Sequence, residues 1–255
     1  MRAILTAMIA VLSYLAVTFP AQAVPVSSRL VLKVSDATPG AIDPNADWIN
    51  NGGFNMGTPG AKTLLNNGID FKDSFVDTNW IDVLTVRVSM YNQGNEVAFI
   101  EFDAAGTTKT DFFAQSNVTA SNWALLAGGH NFFSIPGGGF ERHWFVNTQY
   151  GGCGNDSGHF LVLDGSNGAC PWENTRSGAG KDTRLFLYST LGPTDGTFGD
   201  GAINWNDNTG GVGQADVFAV HVTTHVDLPA TAAMSAAGVV TFVLLSYRRQ
   251  LTRRA

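Results

Sequence analysis

Hydrophobic and polar positions alternate in short runs along most of the chain, with Gly, Asn, Asp and Ser filling the gaps between runs. A period of two is the mark of a strand with one face buried. Segment 28–34 puts Leu30, Leu32 and Val34 on one side. Segment 83–91 is the clearest case, with Leu84, Val86, Val88 and Met90 facing one way and Thr85, Arg87 and Ser89 the other. After Asn92-Gln93-Gly94-Asn95, segment 96–102 returns with Ala98, Ile100 and Phe102 inward, so the pair predicts a β-hairpin. Segment 140–146 sets Phe140, Arg142, Trp144 and Val146 against Glu141, His143 and Phe145. Segments 159–163, 184–188 and 216–223 add further strands, the last with Phe218, Val220 and Val222 on a common face. Segments 110–114 and 123–126 are weaker candidates, and 36–62 reads as an irregular excursion held down by Trp48, Phe54 and Met56. About eight to ten short strands without a long amphipathic helix predict an all-β protein, an antiparallel β-sandwich of jelly-roll or lectin-like form. An outer-membrane barrel is disfavoured, since its strands run to about ten residues with a lipid-facing row.

The two ends break this pattern. Arg2 precedes an apolar stretch from Ala3 to Phe19, and Ala21-Gln22-Ala23 supplies the small-x-small cleavage pattern of a secretory signal peptide, placing the cut after Ala23. At the other end no charged side chain occurs from Ala230 to Tyr247. As a helix, roughly 18 residues span about 27 Å, near the thickness of a bilayer's hydrocarbon core. Arg248, Arg249, Arg253 and Arg254 follow and favour the cytoplasmic side. The chain thus divides into a signal peptide (1–23), an exported domain (24–225) and an anchoring tail (226–255) with its span at 230–247.

The tail, with Val226-Asp227-Leu228-Pro229-Ala230-Thr231 before the span and the arginines after it, resembles the PEP-CTERM sorting signal of Gram-negative bacteria. Val226, Pro229, Ala230 and Thr231 match that pattern. Asp227 and Leu228 stand where the commoner form has Pro and Glu, nearer the Val-Pro-Leu-Pro-Ala variants. The resemblance implies export through the Sec translocon and signal peptidase, transient anchoring in the inner membrane and handling by an exosortase-like enzyme. It further implies a place at the cell surface or in a biofilm matrix rich in exopolysaccharide. It covers only the tail.

Charge changes the picture of partners. Five of the 15 basic residues lie in the end segments, while all 21 acidic ones fall between the signal peptide and the span. The part between therefore carries 10 − 21 = −11. An acidic surface of that size excludes nucleic acid and anionic lipid as natural partners and is compatible with divalent cations. Cys153 and Cys170, 17 apart in a chain sent to an oxidising compartment, predict one disulfide. A zinc site is the lesser reading, because two thiols are too few ligands.

Candidate chemistry is sparse. Tyr150, Trp172 and Glu173 flank the two cysteines, and an exposed ring beside a carboxylate would suit a sugar, the ring stacking on its apolar face. The alternative is that Trp172 is a core aromatic packed on the disulfide. Asp195, Asp200 and Asp207 concentrate oxygen ligands in a Gly-rich stretch as a candidate calcium site, though without EF-hand order, and an ordinary solvated loop is the commoner reading of such residues. No nucleophile elbow, zinc-protease or phosphate-loop motif occurs. The five histidines are scattered, and Glu141 with Glu173 is the pair a glycoside hydrolase would use. The sequence thus favours a non-catalytic matrix or envelope protein, structural or glycan-binding, over a secreted glycan-active hydrolase.

Overall fold

Backbone pairing sorts the chain into two mostly antiparallel sheets. The first contains β1 (Val26–Ser35), β2 (Phe71–Lys72), β3 (Val83–Asn92), β4 (Asn95–Asp103) and β5 (Val118–Ser121). The second contains β6 (Asn131–Phe133), β7 (Arg142–Gln149), β8 (Ser157–Leu163), β9 (Leu185–Ser189), β10 (Ile203–Asn204) and β11 (Val212–Ala215). The chain then returns to the first sheet as β12 (Val217–His225). The strand orders are β2-β1-β12-β3-β4-β5 and β11-β9-β8-β7-β6, with β10 paired to β8. This computed structural model describes residues 26–36, 44–126, 128–133, 142–149, 152–163, 170–176, 184–191, 201–206 and 210–225. The signal peptide with Ala21 and Ala23, the sorting motif, the span and the arginine tail lie outside them. Among the described residues no helix is long and apolar enough to cross a membrane.

The hairpin forms as predicted. β3 pairs with β4 from Thr85↔Asp103 to Asn92↔Asn95, around Gln93 and Gly94 at φ +52° and +80°. Two successive residues of positive φ give the primed turn whose twist matches the strands. On the other flank β12 pairs with β3, so Val86, Val88, Met90, Ile100, Phe102, Phe218, Val220 and Val222 turn one apolar face inward. Trp144, Val146, Phe160, Val162 and Phe186 of the second sheet meet that face, and both sets belong to one core. The architecture is all-β, two sheets packed face to face. First and last strands are neighbours, and the hydroxyls of Ser27 and Thr224 lie 3.4 Å apart.

The second sheet is buried on both sides. Phe145, Leu161, Leu163, Leu185 and Leu187 point away from the first sheet and are covered by Trp172, Cys170, Ile203 and Trp205. Gly158 of β8 is paired with both β7 and β10, and a Cβ there would lie 2.4 Å from the Val146 carbonyl oxygen of the neighbouring strand.

Four expectations change. Segment 110–114 is not a strand but a stretch of turns and bends that buries Phe112 and Phe113, and the edge strand is β5 instead. Segment 123–126 is a turn carrying buried Trp123 and Leu125. In β7, Arg142 does not share a face with Trp144 and Val146. Trp144 takes φ +49°, and the register with β8 shifts between His143 and Val146. The irregularity reverses the phase, sending Arg142 to the outer layer and Trp144 into the main core. Within 36–62, Trp48 is buried on a short helix (Pro44–Ile49), while Met56 is exposed.

Candidate functional site

The predicted disulfide is present, joining Cys153 to Cys170 across a Cα separation of 5.2 Å. It closes over an ionic node. Arg142, thrown outward by the β7 irregularity, donates from Nε to Glu173 Oε1 at 2.6 Å and from one terminal nitrogen to Asp156 Oδ2 at 2.7 Å. Its other terminal nitrogen reaches Glu173 and lies 3.1 Å from Cys170 Sγ. Glu173 Oε2 also accepts the Cys170 backbone N–H. The Arg142 guanidinium sits 5.1 Å from the centre of the Trp172 ring. Exposure is 3 % at Arg142, 1 % at Asp156, 0 % at Glu173 and 4 % at Trp172. The short helix Pro171–Arg176 supplies Trp172 and Glu173 directly after Cys170.

Of the residues singled out from sequence, Cys153, Cys170, Trp172 and Glu173 are therefore brought together, with Arg142 and Asp156 added. Trp172 is packed on the disulfide and presents no open ring to a sugar; the stacking surface required an exposed ring, and burial removes it. Glu173 is wholly buried and closed on Arg142. Tyr150, Glu141, Asp195, Asp200 and Asp207 lie outside the described residues. Among the described residues no group of three His, Cys, Asp or Glu side chains is placed to hold a metal.

A second cluster lies on the outward face of the first sheet. Glu96 accepts hydrogen bonds from Arg87 (3.0 Å from Nε), Ser89 (2.7 Å) and Tyr91 (3.4 Å). Arg87 also reaches Glu101 at 3.5 Å and stacks on Phe99, its guanidinium carbon 3.5 Å from the ring centre. Burial pushes the Glu96 carboxyl up, but the Arg87 and Ser89 hydrogen bonds outweigh it, leaving Glu96 below the usual range. His221, opposite Arg87 on β12, is pushed down chiefly by burial and further by Arg87, against the pull of Glu96. A carboxylate held ionised and an imidazole held neutral make fixed acceptor and donor groups rather than an acid–base couple.

A third cluster ties the sheets at the start of β2. Asp70 accepts the Ser35 N–H at 2.9 Å and an Arg184 N–H at 2.8 Å, and Arg184 also donates to the Ser35 carbonyl at 3.0 Å. Beside it Lys33 is wholly buried, with Nζ donating to Asn67 Oδ1 at 2.6 Å. Sequence reading passed over both. The signal available was a lone lysine inside the apolar run Leu30-Val31-Leu32-Lys33-Val34.

The fold and these clusters define a disulfide-bonded all-β domain with several buried or half-buried ion pairs. No family model, curated protein or solved structure matches the chain.

Proposed function

We propose that this is an exported, non-catalytic protein of the cell surface or extracellular matrix, delivered by its signal peptide and sorted by its exosortase-type tail. The domain between them is a lectin-like sandwich, a reading supported by its adjacent first and last strands. The observation that carries the proposal is the Cys153–Cys170 bond closed over the buried Arg142 node. Such a bond persists in oxidising compartments and is rare in the cytosol. The outward face bearing Arg87, Glu96, Phe99, Glu101 and His221 offers held donors and acceptors beside a half-buried ring, which suits a hydroxyl-rich polysaccharide. The test is to express the full chain in a Gram-negative host that carries an exosortase and to take the intact mass from each fraction. Expected is an envelope or extracellular species lacking residues 1–23 and short of two hydrogens, releasing no reducing ends from matrix polysaccharide. The whole polypeptide, soluble in the cytosol with both thiols reduced, overturns it.

A further inference from the structure

A buried lysine normally closes on a carboxylate, because an unpaired ammonium inside a protein is strongly disfavoured. Lys33 does not. It is fully buried, and its hydrogen-bond partner is the neutral side-chain amide of Asn67, at 2.6 Å. Burial pulls its pKa down, only partly countered by the charge of Asp70, which favours the neutral amine that carries a lone pair.

The amide is held as firmly as the amine. Asn67 Oδ1 also accepts the Ile69 backbone N–H at 3.1 Å, a donor that stays in place where negative charge would collect if Nζ attacked the carbonyl. Its Nδ2 donates to the Gly60 carbonyl at 2.9 Å and to Thr63 Oγ1 at 3.2 Å. An amine within hydrogen-bonding reach of a carbonyl oxygen is near the roughly 3–3.5 Å attack range of its carbon. Asn67 itself is exposed, leaving its amide nitrogen a way out to water.

We infer that Lys33 and Asn67 form an intramolecular isopeptide bond, a covalent staple between β1 and the loop ahead of β2. The neutral Nζ attacks Cγ of Asn67 and forms the new C–N bond. One Nζ proton passes to the departing Nδ2, the Cγ–Nδ2 bond breaks, and ammonia leaves. One amine and one primary amide become one secondary amide and one ammonia, with no oxidant, reductant or cofactor. The staple needs no export and stands apart from the functional proposal above.

Tryptic mapping of the purified, denatured full chain tests it. Expected is resistance to cleavage after Lys33 and a joined species of peptides 30–62 and 63–72, lighter by one ammonia than the sum of the two. Free peptide 30–33 with an unmodified 63–72 overturns the inference. So does free 30–33 with residue 67 converted to Asp, the ordinary deamidation of an Asn-Gly pair rather than capture by Lys33. The Asn67→Leu variant, checked for its β-sheet spectrum, is expected to restore cleavage after Lys33 and release free 30–33. If Lys33 stays resistant to cleavage in that variant, Asn67 is not its partner and the inference is overturned.

Discussion

Replacing Arg142 by Met is the sharpest probe of the node beneath the disulfide. Met matches the stem in volume but leaves Asp156 and Glu173, both buried, without the guanidinium on which they close. Removing one partner of a buried ion pair destabilises by about 3–5 kcal/mol. In a domain of this size 1 kcal/mol shifts Tm by about 2–4 °C, so the variant should melt roughly 10 °C lower. Glu173→Gln acts differently: it keeps the Arg142–Asp156 bond at 2.7 Å and removes one of two carboxylates facing one cation. Its effect should be about 1–2 kcal/mol, the size of a weakened hydrogen bond to a charged group. Urea titration, read as a midpoint shift at constant slope, measures both. Reducing the disulfide reopens a 17-residue separation, worth about 3 kcal/mol by chain entropy. Because Cys170 touches Arg142, reduction and Arg142→Met should fall short of additive. An Arg142→Met variant within about 1 kcal/mol of the parent, or a Glu173→Gln variant equally damaged, would refute the reasoning.

Two further outcomes follow from the other clusters. His221 is held neutral in the fold, so below its ordinary pKa near 6.5 the unfolded chain takes the proton first. Stability should therefore fall as pH drops from about 6.5 toward the folded pKa, by at most about 1.4 kcal/mol per unit, with no further loss from this group below it. His221→Gln should flatten that slope in urea titrations between neutral and mildly acidic pH; an unchanged slope rejects the assignment. Arg184→Met removes the pin between Asp70, the Ser35 carbonyl and the second sheet, and should destabilise by about 3 kcal/mol. A midpoint shift within error would show that the pin carries no net stability.

The fold was legible where the period of two ran unbroken. β3, β4 and β12 announce themselves because one face is apolar and the other polar, and the Gln93-Gly94 turn fixes their register. β7 misled because Trp144 adopts a left-handed backbone that no residue pattern signals, so Arg142 falls on the opposite face from Trp144. β2, β6 and β10 are too short to show a period at all. The disulfide could be read from two cysteines and a compartment. The node around it could not, since Arg142, Asp156 and Glu173 lie 14 and 31 positions apart and converge only when the outer layer folds down. Lys33 looked like an ordinary outward residue of β1 until the loop carrying Asn67 was seen to cover it.

The position of β12 has a mechanical consequence. It lies inside its sheet, between β1 and β3, with Thr224 beside Ser27 at the start of β1. A load applied at His225 would act along a strand zipped on both edges. Both ladders would have to slide at once, a far stiffer response than peeling a border strand rung by rung. A domain hung by that end would resist drag while its other loops stayed free to move.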